Sequence, residues 1–194
     1  MMRRLASLSC LVLLLSACGL SPQVVNVAPS PQADSGTNGR NAPVRVEVHD
    51  ERPQQHVGSR GGVYPDTSLI RPANNVAKAL YDAVTRSLQS MGYNALNPGD
   101  AATELQLRLT ELSYVPAEGA VVNKVVITAK LEATARRGSA EHIGRYQSSV
   151  THETPLTPSA SRNEQMINDV LERTLNRLLV DPKMRAFLAG NDRP

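Results

Sequence analysis

The chain has 194 residues, with 21 Lys and Arg against 18 Asp and Glu and a formal net charge of +3. This small, unclustered excess gives no basis for a nucleic-acid partner, which requires grouped basic side chains that neutralise several phosphates. Aromatic residues make up 3% of the chain and tryptophan is absent, so stacking platforms for bases or sugars are excluded as well.

The first 17 residues have the layout of an export signal. Two arginines precede an apolar stretch over residues 5–15, and the small residues Ser16 and Ala17 follow, which is the order of parts in a secretory signal. A helix that spans a bilayer needs about 20 apolar residues, and this stretch has about 11. We therefore predict a removable signal peptide over residues 1–17.

The residues Leu15-Ser16-Ala17-Cys18 resemble the lipobox of bacterial lipoproteins, in which the cysteine is diacylated and becomes the new N-terminus. The resemblance implies that Cys18 is the lipidation site, and two or more acyl chains give stable anchoring. The alternative is a chance cysteine beside an ordinary cleavage site. In such lipoproteins an aspartate after the cysteine is typical of retention at the inner membrane. Gly19 stands there, so we expect an outer-membrane anchor facing the periplasm.

Removal of the signal also changes the mature protein's charge and thiol content. Loss of two arginines lowers the net charge from +3 to about +1. Of the two cysteines, Cys10 leaves with the signal and acylation occupies the sulfur of Cys18. The mature chain then has no free thiol, which excludes a disulfide, a thiolate metal site and a cysteine nucleophile.

Residues 18–43 are predicted to be the lipid-anchored cysteine and a flexible linker. The segment is rich in Pro, Ser, Asn and Gly and has few apolar residues, a composition typical of a tether. Its maximum reach of about 85 Å would hold the body away from the membrane. The run Val-Val-Asn-Val at 24–27 could still pair as a short edge strand.

One domain is predicted over residues 44–190, followed by a disordered tail over 191–194. Alternating valines predict a strand at 44–50, and a Pro- and Gly-rich loop follows as far as Pro72. Apolar residues at steps of four predict an amphipathic helix that Asn74 or Asn75 caps and Gly92 ends. The sequence YNAL then predicts a short strand.

The second half of the domain is predicted to be strands followed by a helix. The leucine alternation of TELQLRLTELSYV shifts phase, which indicates a bulge, and a long strand from Val121 turns at Gly138 into another. Ser161 and Glu164 form a potential capping box. The helix after them has one apolar face, formed by Ile167, Val170, Leu171, Leu175, Leu178 and Leu179. Asp181 and Pro182 break this helix before a last helical turn or two.

The order of these elements is β-α-β-β-β-α. An antiparallel or mixed sheet of four to five strands can bury one face under two amphipathic helices while its Thr, Lys, Glu and Arg face meets water. The predicted fold class is therefore an α+β two-layer sandwich.

The densest polar cluster is HDERPQQH at 49–56, where Asp50 and Arg52 are a candidate binding or structural pair. Metal ligands or an acid–base pair could gather at such a strand end. However, the chain has no HExxH, GK[ST] or GxSxG spacing. We therefore predict no catalytic residue, no metal, no cofactor and no enzymatic activity.

Several of these features together resemble the YajG-like family of bacterial lipoproteins. They are the lipobox, the strand VRVEVHDERP with its Asp50-x-Arg52 step, Gly92-Tyr93 after the first helix, the polar-faced hairpin and the C-terminal leucine helix. The resemblance implies a lipid-anchored envelope protein. No catalytic residues come with it, because the family is described as uncharacterised.

These observations predict a non-enzymatic periplasmic domain that acts as an accessory or scaffold and binds an envelope protein. The predicted contacts are the membrane, through the anchor, and that protein partner, with the oligomeric state left open. Two alternatives remain: a lipid or small-ligand carrier that admits an acyl chain between sheet and helices, and a hydrolase that uses Asp50 or Glu51.

Overall fold

The structure is a computed structural model that describes residues 20–32, 39–100, 102–117, 123–154 and 156–191. Cys18, the predicted signal peptide and residues 192–194 of the predicted tail lie outside the described residues. None of the described helices is long and apolar enough to cross a bilayer.

The described residues form seven strands and three α-helices. The strands are β1 Gln23–Val25, β2 Val44–Asp50, β3 Gly58–Ser59, β4 Leu69–Pro72, β5 Thr103–Ala117, β6 Asn123–Arg137 and β7 Ala140–Thr154. The helices are α1 Val76–Ser90, α2 Ala160–Val180 and α3 Pro182–Leu188.

The strands form one mixed sheet in the order β1-β4-β3-β5-β6-β7, with β2 paired to β5 beside β3. β1 and β4 are parallel, as are β2 and β5, and β3 and β5, while the other pairs are antiparallel. The α+β class is as predicted, but the sheet has more than four to five strands. The run at 24–27 pairs in part as an edge strand, as the sequence allowed, because β1 covers Gln23–Val25 and pairs with β4. The other additional strands, β3 and β4, have two and four residues, too short to show a period.

The core lies between the helices and one face of the sheet. α1 buries the predicted stripe of Val76, Leu80, Val84 and Leu88, and α2 buries Ile167, Val170, Leu171, Leu175, Leu178 and Leu179. They pack on the alternate apolar residues of the central strands, which are Leu105, Leu107, Leu109, Leu112, Val125, Ile127, Ala129, Leu131, Ala133 and Ala135. The opposite sheet face carries cross-strand ion pairs such as Lys130–Glu111 and Lys124–Glu153, both at 2.7 Å.

Local sequence signals place most of the element ends. Asn75 caps α1 by accepting a hydrogen bond from the Lys78 N–H, and Gly92 follows the helix with φ of +86°. The predicted bulge in β5 is confirmed by a register shift between Leu109 and Glu111. The predicted strand YNAL is reduced to a single bridge between Asn94 and Pro43.

The predicted capping box of α2 is wrong. The N-cap lies two residues earlier, at Ser159, whose hydroxyl accepts a hydrogen bond from the Arg162 N–H. Glu164 does not reach back to the helix start. Its Oε2 instead accepts a hydrogen bond of 2.7 Å from the Asn26 N–H. Glu164 therefore binds the N-terminal segment and not the backbone at the start of α2.

Residues 20–32 also depart from the predicted flexible linker, because they pack onto the domain. β1 pairs with β4, and Val25 and Val27 are 1% and 0% exposed. The backbone N–H groups of Ala28 and Ser30 each donate a 2.9 Å hydrogen bond to a side chain of α2, Asn168 and Glu172. The folded domain therefore begins upstream of the predicted boundary at residue 44.

Candidate functional site

Asp50 and Arg52, the pair predicted from the sequence, form an ion pair at the end of β2. Arg52 Nε donates to Asp50 Oδ1 and Arg52 Nη2 donates to Asp50 Oδ2, both at 2.7 Å. Two parallel contacts are the strong geometry between a guanidinium and a carboxylate. The Arg52 side chain is 3% exposed and that of Asp50 18%, so the pair is largely removed from water.

An open cavity of about 300 Å³ lies beside this pair. Arg71 and the first residues of α1, Val76 and Ala77, line it together with Asp50 and Arg52. The positive end of a helix dipole and an exposed arginine favour an anionic group. Asp50 lies in the same wall and offsets part of that attraction.

The remaining residues of the HDERPQQH cluster do not assemble into a reactive site. His49 Nε2 lies 3.3 Å from Gln106 Nε2 and 3.9 Å from a Glu47 carboxylate oxygen, on a partly exposed face. Both Asp50 oxygens already accept hydrogen bonds from Arg52. Over the described ranges, no group of three or more His, Cys, Asp or Glu side chains is placed to hold a metal ion.

The layer between sheet and helices, where a carrier would hold an acyl chain, is closed in this conformation. Its internal cavity, which Leu88, Met91, Leu105 and Leu178 help to line, measures about 10 Å³. A cavity measured in this way must reach about 10–15 Å³ to hold a single water molecule, so this one is far too small for an acyl chain. An acyl chain could enter only if the helices moved apart.

The open edge of the sheet is a second candidate. The sequence makes edge strands or the polar sheet face plausible docking surfaces, but it does not identify β7 as the edge strand. β7 has fifteen residues and stands at the end of the sheet, paired to β6 alone among the described strands. Its pairing with β6 is continuous over all fifteen positions. A strand with one unpaired edge presents a row of N–H and C=O groups that another strand can bond.

Tyr146 links β7 to the start of α3. Its hydroxyl donates a 2.7 Å hydrogen bond to Asp181 Oδ2, and Asp181 Oδ1 accepts from the Lys183 N–H at 2.9 Å. Burial and the neighbouring carboxylate raise the pKa of Tyr146. Burial alone would raise the pKa of Asp181, but these hydrogen bonds lower it.

Gly144 leaves the space that the Tyr146 side chain occupies. An ideal Cβ built on Gly144 would lie 2.2 Å from Tyr146 Oη, well inside van der Waals contact. Any larger residue at this position would displace the phenol from Asp181. The glycine, the tyrosine and the aspartate therefore form one structural unit, which requires no ligand to explain it.

The fold and the site together define an α+β domain with an engaged ion pair and an open sheet edge. The chain belongs to a family of lipoproteins described as uncharacterized, whose model matches residues 29–189. The match begins within the segment along α2 and runs to the end of α3, and it leaves out β1. Comparison with curated proteins finds no significant match.

Several solved structures share a distant likeness with the chain. Protein XCC0632 from Xanthomonas campestris is 13% identical with a TM-score of 0.46, covering 89% of this chain and 96% of that one. A neuraminyllactose-binding hemagglutinin homologue from Helicobacter pylori is 12% identical with a TM-score of 0.43, covering 85% and 94%. Lipoprotein GNA1162 from Neisseria meningitidis is 13% identical with a TM-score of 0.25, covering 70% and 99%. None of these likenesses assigns a ligand to this chain.

Proposed function

We propose that the protein is an outer-membrane lipoprotein whose non-enzymatic periplasmic domain is a scaffold that binds an envelope protein. Cys18 carries the lipid anchor in this proposal, and Gly19 after it favours the outer membrane. The partner contributes a β-strand that adds to the edge of β7. The Asp50-x-Arg52 step and Gly92-Tyr93 support a YajG-like family within the lipoproteins.

The observation that carries the proposal is the outer edge of β7, which pairs with no strand of the described ranges. Exposed edges of this length promote unwanted association, and proteins commonly blunt them with proline, a bulge or a covering element. β7 contains no proline and has no register shift against β6. Strand addition to such an edge takes affinity from main-chain hydrogen bonds and specificity from the alternate side chains.

The register indicates which residues of β7 a partner strand would bond. The two-residue turn at Gly138 and Ser139 closes on the pair of Arg137 and Ala140. Such a turn closes on a hydrogen-bonded pair, and the direction of the backbone groups alternates from there. The backbone N–H and C=O groups of the even-numbered residues of β7 then point toward β6. Those of the odd-numbered residues, such as Gln147, point toward the open edge.

Photo-crosslinking in the bacterial envelope tests the proposal. A photoreactive side chain at Arg145, on the open edge, is expected to give one discrete crosslinked protein. The same group at Tyr81, a 38% exposed residue of α1, is expected to give none. Gln147→Pro removes an outward N–H and should abolish the crosslink at position 145, with little loss of thermal stability because proline is tolerated at strand edges.

Ser148→Pro is the matched comparison for that variant. It removes an N–H that faces β6, so it should lower the melting temperature where Gln147→Pro does not. Equal crosslinking from positions 145 and 81, or a crosslink that survives Gln147→Pro, would contradict strand addition to β7.

A further inference from the structure

Four exposed or half-buried apolar side chains gather at one end of the domain, which we call the proximal rim: Leu20, Val63, Tyr64 and Leu156. Among the described residues, Val63, Leu156 and Tyr64 are the three most exposed large apolar side chains, at 79%, 77% and 67%. Isolated exposed apolar residues are ordinary, but a group of them marks an interaction surface.

Sheet register places these residues at the same end. β3 runs parallel to β5, with Gly58 opposite Tyr114, so the loop after β3 that carries Val63 and Tyr64 lies near the end of β5. β6 begins and β7 ends beside that point, since Ala117 pairs with Lys124 and Asn123 with Thr154. Leu156 follows β7 by two residues.

The chain enters the domain at this end too. The Ser21 carbonyl accepts a 2.8 Å hydrogen bond from Arg60 Nη1, and Gln23 Nε2 donates to the Pro158 carbonyl at 3.3 Å. An ideal Cβ on Gly62 would lie 3.5 Å from Leu20 Cδ1. The first described residues are therefore bonded to both loops of the proximal rim.

The short distance in sequence between Cys18 and Ser21 limits how far the rim can lie from the anchor. Three residues span at most about 10 Å, compared with the reach of about 85 Å expected for a free linker over the whole segment. Groups at a membrane interface insert about 5–10 Å into the headgroup region. Tyrosine is also enriched at that depth.

We infer that the proximal rim lies against the lipid bilayer of the outer membrane. The long axes of the strands then run away from the membrane surface. The inference rests on the proposed anchor at Cys18. The lipid surface is the occupant of the rim because the anchor holds the rim within reach of it. The 63% exposed Leu96 lies at the opposite end, two residues after Asn94, which bridges to Pro43 beside Thr103 at the start of β5. The fifteen residues of β5 span about 45 Å between the two ends.

Fluorophores on the intact mature lipoprotein test the orientation. The variants Val63→Cys, Leu156→Cys and Leu96→Cys each add one thiol at an exposed position and carry an environment-sensitive label. The proteins are reconstituted in vesicles of phosphatidylethanolamine and phosphatidylglycerol, with or without lipid bearing a nitroxide on its headgroup. The nitroxide should quench the labels at positions 63 and 156, which lie within the headgroup region, and should leave the emission of the label at 96 unchanged.

Flotation of the vesicles and labelling of the parent protein separate the two proposals. A parent protein that takes the thiol label at Cys18, or that does not float with the vesicles, overturns the anchor and the inference with it. A protein that floats but whose label at 63 is quenched no more than that at 96 overturns the inference alone. Quenching at 63 and 156 but not at 96 supports it.

Discussion

Arg52 is a cation almost completely removed from water, and its stability there depends on Asp50. Removal of one partner from such a pair leaves an uncompensated charge, whereas removal of both leaves none. We expect Arg52→Ala and Asp50→Ala each to lower the free energy of unfolding by about 3 kcal/mol. The double variant should lose less than the sum, with a coupling energy of about 1–3 kcal/mol.

Urea denaturation followed by circular dichroism measures this double-mutant cycle. Strict additivity of the two single variants would show that the ion pair contributes no coupling to the fold. Unchanged stability combined with loss of an envelope crosslink would show instead that the pair contacts a partner through the neighbouring cavity.

At the scale of elements, the segment before β2 is held by side chains that are distant in sequence. Glu164, Asn168 and Glu172 are spaced four residues apart on α2 and accept hydrogen bonds from alternate N–H groups of the segment. Because residues four apart lie on one face of a helix, α2 presents a row of acceptors that matches the two-residue period of an extended chain.

Val27 tests whether this segment is part of the cooperative domain. Its side chain is fully buried, whereas Val24 nearby is 62% exposed. Val27→Ala should lower the free energy of unfolding by about 2 kcal/mol, and Val24→Ala should change it by less than about 0.5 kcal/mol. Thermal or urea unfolding measures both. Equally small effects would indicate that residues 20–32 detach from the body.

Long periodic elements were predictable from the sequence because each repeats its own signal. The apolar stripes of α1 and α2 and the alternation along β5 and β6 extend over fifteen residues or more. The short strands β3 and β4 carry no such repeat, and β1 is specified by its partners β4 and α2 rather than by its composition. Tertiary contacts, and not a local sequence pattern, therefore determine that these three segments form strands.

The two candidate sites also differ in how far the local sequence predicts them. Asp50 and Arg52 are separated by one residue, so their pairing at a strand end could be proposed from local order alone. The open edge of β7 depends on which strand ends the sheet, and neighbouring sequence does not encode that order. The hairpin of β6 and β7 was predicted, but which of the described strands ends the sheet is a property of the whole fold.

At the scale of the whole molecule, several titratable groups are expected to make the folded protein less stable as the pH falls. Burial and then the nearby Arg162 lower the pKa of His152 below 6.5. The Lys130 hydrogen bond is the main cause that lowers the pKa of Glu111 below 4.5, and the pKa of Asp181 is also lowered. In each case the unfolded chain binds protons first, so protonation favours unfolding.

Three buried tyrosines are expected to make the folded protein less stable as the pH rises above about 10. Burial raises the pKa of Tyr93, Tyr114 and Tyr146 above 10.0, and for Tyr146 the hydrogen bond to Asp181 adds to the effect. A group whose pKa is raised on folding contributes stability that is complete below its unfolded pKa and is lost as the pH rises through the folded value. The unfolded chain loses these protons first.

We therefore expect the free energy of unfolding to form a plateau between about pH 7 and pH 9.5. Below pH 6.5 it should fall as His152 protonates in the unfolded chain, and it should fall further below about pH 4.5. Urea midpoints across this range measure the profile. His152→Gln should flatten the slope between about pH 5 and pH 6.5, and Tyr146→Phe should reduce the alkaline slope. A stability that rises as the pH falls from 7 to 5 would contradict the assignment of a lowered pKa to the half-buried His152.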